Sequence, residues 1–112
     1  MSEFVLLFRQ PSIDRDAMSP AELEAITQRW QTWVGNLSAQ GKLAIGGIQL
    51  ATEGNVLRAD GVITDGPFVE VKERLGSFLV VRADSLDEAT TLAHGCPVLD
   101  RQGSVEIRAI LT

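Results

Sequence analysis

The stretch Asp65-Gly66-Pro67-Phe68-Val69-Glu70-Val71-Lys72-Glu73-Arg74-Leu75-Gly76-Ser77-Phe78-Leu79-Val80-Val81-Arg82 joins a turn signal to a strand that is apolar on both faces. Asp-Gly-Pro favours a turn, because Asp bonds to nearby backbone amides, Gly takes unusual dihedrals and Pro fixes φ. Beyond it, alternation sets Leu75, Leu79 and Val81 against Phe78 and Val80. A strand apolar on both sides belongs in the middle of a sheet with both faces covered. Between turn and strand stand Glu70, Lys72 and Glu73, which places ionisable groups at the rim of that sheet.

The same two-faced pattern marks Glu3 to Phe8, with Phe4, Leu6 and Phe8 on one side and Val5 and Leu7 on the other. A polar loop is expected from Arg9 to Met18. Ser19-Pro20-Ala21-Glu22 then reads as a helix start, with Ser19 as cap, Pro20 in the first turn and Glu22 completing a capping box. Leu23, Ile26, Trp30, Trp33, Val34 and Leu37 form one apolar stripe, and Gly41 is a natural stop. Trp30 and Trp33 are expected in the core or at its edge. Leu43 to Leu50 reads as a strand whose Gly46-Gly47 suggests a bulge or a close backbone approach. Asn55–Arg58 and Val62–Thr64 flank Asp60-Gly61, a hairpin signal. Ser85-Leu86-Asp87-Glu88 repeats the capping box before a short helix with Leu86, Ala89, Leu92 and Ala93 inward, ending near Gly95 and Pro97. The last strand, Ser104 to Leu111, sets Val105, Ile107, Ala109 and Leu111 against Glu106, Arg108 and Ile110.

The order is β-α-β, a small hairpin, then β-α-β: an α+β, ferredoxin-like βαββαβ sheet with an extra β-hairpin and both helices on one face. Two helices cover only one face of strands that are apolar on both. The other needs a cover, and a second copy of the chain is the simplest one. A chain of 112 residues is expected to make one domain over 1–112. With 45% apolar and 22% charged residues it has the composition of a folded soluble protein. A formal charge of −5 without a Lys/Arg cluster argues against nucleic acid or an anionic membrane as partner. No apolar run approaches the ~20 residues of a membrane span, and the acidic start does not read as a signal peptide. The single cysteine, Cys96, fits a reducing cytoplasm.

Asp65 is the first candidate for chemistry, as a proton-moving acid or base or as a residue that only ties down its turn. Glu73 lies nearest the apolar strand and is the second. Lys72, flanked by Glu70 and Glu73, can hold an anionic group or be one of a solvated charge pair. Glu106 and Arg108 share a strand face and line either a ligand cavity or an inter-subunit ion pair, with Arg9 joining either arrangement. Phe68 and Phe78 offer apolar wall. His94, the only histidine, reads as a helix-end residue, and Cys96 as a structural thiol. No metal-ligand spacing and no phosphate-binding Gly-rich loop occurs, so no metal or cofactor is expected.

Gly46-Gly47, Thr64-Asp65-Gly66-Pro67-Phe68, Glu70, Lys72-Glu73, Leu75-Gly76, Phe78, Leu86-Asp87-Glu88-Ala89 and Ser104-Val105-Glu106-Ile107-Arg108 together resemble the DGPF branch of the YCII-related family over nearly the whole chain. The resemblance implies a dimeric α+β barrel, two ferredoxin-like sheets packed face to face, hence a homodimer. It also implies a superfamily that includes isomerases, dehydrochlorinases and cofactor-free monooxygenases. The better-known YCII-like branch pairs a histidine in the first helix with an aspartate before the Pro that follows the second. Here the first helix has no histidine and Cys96 precedes Pro97, so that pair does not carry over. Two functions follow. One is acid–base chemistry of isomerase or lyase type on a small anionic or aromatic compound, with Asp65 moving the proton and Lys72, Arg108 or Arg9 holding the anion. The alternative is a non-catalytic dimeric module that binds a ligand or protein in a regulatory role linked to sigma factors, which the resemblance also suggests. The chain contains no helix-turn-helix segment, so it is not expected to read DNA itself.

Overall fold

The computed structural model describes residues 1–10, 18–51, 53–66 and 74–111, with 64–66, 74 and 101 described by backbone alone. Its elements are β1 (Ser2–Gln10), α1 (Pro20–Ala39), β2 (Leu43–Gln49), β3 (Gly54–Leu57), β4 (Ile63–Gly66), β5 (Arg74–Ala83), α2 (Leu86–Ala93), a 3-10 turn (Pro97–Arg101) and β6 (Ser104–Ala109). The helix boundaries follow from side-chain capping. Ser19 Oγ accepts the Glu22 amide at 3.1 Å, and Ser85 Oγ accepts the Glu88 amide at 3.1 Å. Each supplies a partner for a first-turn N–H that has none within its helix. At the far end of α1, Gly41 adopts φ 70°, the Gly41 amide bonds to the Ser38 carbonyl at 3.0 Å, and Lys42 to Leu37 at 2.9 Å. That left-handed reversal ends the helix and turns the chain into β2.

Four strands form an antiparallel sheet in the order β2-β5-β1-β6, the ferredoxin-like arrangement, while β3 and β4 form a separate two-stranded hairpin. The core lies on the helix side. Phe4, Leu6, Phe8, Leu79, Val81 and Ala83 from the central strands meet Trp33 and Leu37 of α1 and Ala89 and Ala93 of α2. Trp30 packs against this cluster, and Phe8, Trp30 and Trp33 meet edge to face with ring centroids 5.1 to 5.8 Å apart. Such contacts add to simple area burial. Both tryptophans therefore do serve the core, Trp33 within it and Trp30 at its edge.

Strand pairing also settles the second face. Cross-strand partners share a face, so Val5↔Val80, Leu7↔Phe78, Ile45↔Val80 and Ile48↔Phe78 bring six apolar residues together on the side away from both helices. The register of β2 slips twice, around Ala44 and around Gly46-Gly47, which bears out the expected bulge. Without these slips Ile45 and Ile48 would point to opposite faces. A third slip between Phe8 and Arg9 pairs Leu75 with Arg9, not with the residues facing the helices.

The chain is thin. It spans 43 × 41 × 19 Å with a radius of gyration of 15.5 Å. A compact domain of this length would have a radius near ~13 Å. A thickness of 19 Å accommodates the sheet and one helix layer. A further layer would add about 10 Å.

Four expectations change. Asp65 and Gly66 belong to the end of β4, where they pair with Asn55 and Gly54, and the rest of the expected turn, 67–68, lies outside the described residues. The hairpin ladder satisfies backbone groups that a local turn would otherwise have to satisfy. Leu86, expected inward on α2, is exposed, because the helix meets the sheet through its small residues Ala89 and Ala93. The final strand ends at Ala109, although the Ile110 amide still bonds to the Glu3 carbonyl at 3.0 Å. Of the loop expected from Arg9 to Met18, Arg9 and Gln10 instead continue β1, where they pair with Leu75 and Arg74, and 11–17 lie outside the described residues. The Asp60-Gly61 hairpin is as expected: Gly61 has φ 84°, and the Asp60 carboxylate accepts the Val62 amide at 3.0 Å.

A part-buried ion pair ties α2 to the start of β2, with Lys42 Nζ 2.8 Å from Glu88 Oε1. The hydrogen bond from Lys42 holds the Glu88 carboxyl below its ordinary range, and the same bond raises Lys42 above its own. The depressed acid stabilises the fold above the ordinary carboxylate pKa, and this contribution disappears as pH falls through the lower, folded-state value. The raised lysine stabilises it below the ordinary lysine pKa, and this contribution disappears as pH rises through the higher folded value. Thermal midpoints of wild type and Glu88→Gln should therefore differ most near neutrality and converge at both extremes. A gap that stayed constant across pH would contradict an ionic role for the pair.

Candidate functional site

The open side of the sheet carries the residues that chemistry can use. β1 and β6 pair Leu7 with Glu106, Val5 with Arg108 and Arg9 with Ser104, so Arg9, Glu106 and Arg108 fall on the face of Val5 and Leu7. Arg9 Nη1 donates to Glu106 Oε1 at 2.6 Å, and Arg108 Nε lies 3.9 Å from Glu106 Oε2. One carboxylate thus stands between two guanidinium groups along the β6 edge. Its hold on them is unequal. Arg9 is bound closely, whereas the Arg108 side chain is 70% exposed and only loosely held. A pair so open to water contributes little to stability, which leaves Arg108 available at low cost to an incoming anion.

Beside this charged row lies the apolar floor of Leu7, Val5, Phe78, Val80, Ile45 and Ile48. Val80 is buried between its strand neighbours, Val5, Leu7 and Phe78 are half-buried, and Ile45 and Ile48 are exposed. A ring or short chain laid on Phe78 and Leu7 would reach a guanidinium with its carboxylate. A guanidinium matches a carboxylate through two parallel N–H bonds. At the other side of the face Arg82 Nε lies 4.0 Å from Glu3 Oε2, so the rim carries both signs of charge.

Of the residues picked out from sequence, the structure brings Arg9, Arg108 and Phe78 to this one face, with Glu106 between the arginines. Asp65 is placed by its backbone at the end of β4, opposite Asn55. Phe68, Glu70, Lys72 and Glu73 lie outside the described residues. Sequence reading missed Ile45 and Ile48, because the bulges that turn both to the open face depend on pairing with β5. The Gly-Gly between them is the only signal, and it gives no direction. Cys96 is buried, and burial pushes its thiol up to about 12, which keeps it protonated and unreactive.

The helix side bears an open groove of about 550 Å³ between α1 and the start of the 3-10 turn, lined by Gln28, Arg29, Thr32, Trp33, Asn36 and Pro97 among others. Its arginine is already engaged by Asp100, and its tryptophan donates Nε1–H to the Leu92 carbonyl at 3.1 Å. Both polar groups serve the packing of the helix layer. Among the described residues no helix is long and apolar enough to cross a membrane, and no group of three acidic, histidine or cysteine side chains could hold a metal ion.

Comparison with known families matches residues 6–112 to the model of the YCII-related domain. No curated protein matches the chain significantly.

Proposed function

This chain belongs to the YCII-related domain family, and we propose that within it the protein is a homodimeric cytoplasmic enzyme of the DGPF branch, acting by acid–base chemistry on a small anionic compound with an apolar or aromatic body. The observation that supports this reading is the Arg9–Glu106–Arg108 row at the edge of an apolar face that neither helix covers. A charged clamp beside an apolar floor is the usual composition of a small-molecule site. Arg108 takes the anionic group, Arg9 is held by Glu106 as second cation, and Phe78 carries the apolar body. Asp65, with Glu73, moves the proton in an isomerase- or lyase-like step; Lys72 and Phe68 stand in the same stretch of chain and contribute charge and wall. No cofactor is invoked. The second copy closes the face, and light scattering should give twice the 12.1 kDa chain mass.

The alternative, a non-catalytic dimeric module of regulatory role linked to sigma factors, uses the same face for binding without turnover. Titration with benzoate and phenylacetate separates the readings. Both acids should bind, and Arg108→Gln should weaken binding about 10- to 100-fold, the worth of a charge-assisted pair. In the enzyme reading, deuterium from D₂O enters C–H positions beside the carboxylate of some member of a carboxylic-acid panel, and Asp65→Asn stops the exchange while leaving binding in place. Binding with no exchange across the panel would favour the regulatory module, and equal affinity of wild type and Arg108→Gln would remove the site.

A further inference from the structure

The β3–β4 hairpin stands apart from the four-stranded sheet. Among the described residues, other elements approach it only sparsely. Leu57 and Ile63 are direct cross-strand partners, and each is largely exposed, at 70% and 64%. A two-stranded hairpin standing alone is marginal in water, and an exposed apolar pair on it invites a partner surface. Asn55 and Asp65 form the next pair but one along the ladder, so alternation places them on the face of Leu57 and Ile63. The geometry points to that surface: the hairpin of one copy docks by this face on the open sheet face of a second copy, so that Asp65 of one subunit completes the Arg9–Glu106–Arg108 site of the other.

Area supports a second copy as the occupant. Four strands at ~4.8 Å spacing and about seven residues in length make a face of roughly 450 Å², or about 900 Å² for two faces together. Stable interfaces bury about 1,200–2,000 Å². The sheet faces alone fall short, so a stable dimer needs apolar surface beyond the sheet-to-sheet contact, and the exposed Leu57 and Ile63 of each hairpin, docked at the β6 edge beside that contact, are such a surface. Charge agrees as well. The hairpin segment from Glu53 to Asp65 holds three acidic residues, Glu53, Asp60 and Asp65, against one arginine, Arg58. The row it would meet holds two arginines and one glutamate. Under a two-fold axis the pairing repeats and closes with no surface left over.

The inference rests on the proposed anion site and adds that each site is shared between subunits. It is tested with Ile63→Cys in one preparation and Val5→Cys, the strand partner of Arg108, in a second preparation labelled with nitrogen-15. The two are mixed, equilibrated and treated with a short bismaleimide. Buried Cys96 should stay silent in both. The expected product is a cross-linked peptide pair of mixed isotope content, which only inter-subunit docking can give. Cross-links confined to one chain in the doubly substituted protein, or none between copies of a protein that still scatters light as a dimer, would overturn the shared site while leaving benzoate binding and the proposed function intact. In parallel, Leu57→Ser with Ile63→Ser should weaken self-association at least about tenfold. An unchanged dissociation constant would also overturn the docking. A monomeric wild type would remove both the docking and the dimer on which the proposed function rests.

Discussion

Trp33→Ala is expected to destabilise the protein by about 3–5 kcal/mol, the usual cost of deleting a large buried aromatic. Trp33 is only 8% exposed and sits where α1 meets both the sheet and α2. Its ring touches Phe8 and Trp30 edge to face with centroids 5.8 Å away in each case, and its Nε1–H donates to the Leu92 carbonyl at 3.1 Å. Alanine removes all three interactions and leaves a cavity between layers that cannot collapse without moving a helix. In a domain of this size the loss should lower the thermal midpoint by roughly 15–25 °C. Trp30→Ala should cost less, because that ring is half-exposed. Calorimetry showing equal losses for the two variants would mean that the core is centred differently.

Gly103→Ala should be comparably severe by the opposite mechanism. A β-carbon at Gly103 would stand 2.5 Å from Val98 Cγ2, 2.6 Å from the Arg9 carbonyl oxygen and 2.8 Å from the Val98 carbonyl oxygen. Two of those neighbours are backbone, and Val98 is itself buried. The Gly103 amide also bonds to the Val98 carbonyl at 3.0 Å, so the chain cannot back away without breaking that bond. Overpacking usually costs 1–3 kcal/mol, and backbone contacts this close put the expected loss at about 3 kcal/mol or more. Because one clash falls on Arg9, the variant should also bind benzoate more weakly. Gly95→Ala is the control: its β-carbon would meet only the edge of the Trp33 ring, at 3.2 Å from Cδ1, and a cost of about 1 kcal/mol is expected. Equal urea midpoints for the two variants would show that Gly103 can be relieved by local movement.

Much of the layout was legible in the residues because it depends on near neighbours. Ser19 and Ser85 cap their helices through amides three residues away. Gly41 and Gly61 turn the chain through their own φ. The alternation of β1 and β5 follows from the pleat alone, and with it the conclusion that two helices cannot cover a sheet apolar on both faces. The shared face of Glu106 and Arg108 was readable for the same reason, since residues two apart on a strand share a face.

What the residues alone could not decide depends on where strands meet. Asp65 and Gly66 read as a turn, yet they extend a ladder whose other rail lies ten or more residues earlier. Ile45 and Ile48 both reach the open face only because β2 bulges twice against β5. Gly103 shows no local sign that Val98 and Arg9 close around it. The proximity of Arg9 Nη1 to Glu106, at 2.6 Å, joins residues at opposite ends of the chain. Local capping, pleat and turn chemistry act over a few residues and are written in order along the sequence. Register, bulge position and close backbone approach are set by the packing of distant segments, so only the assembled sheet could decide them.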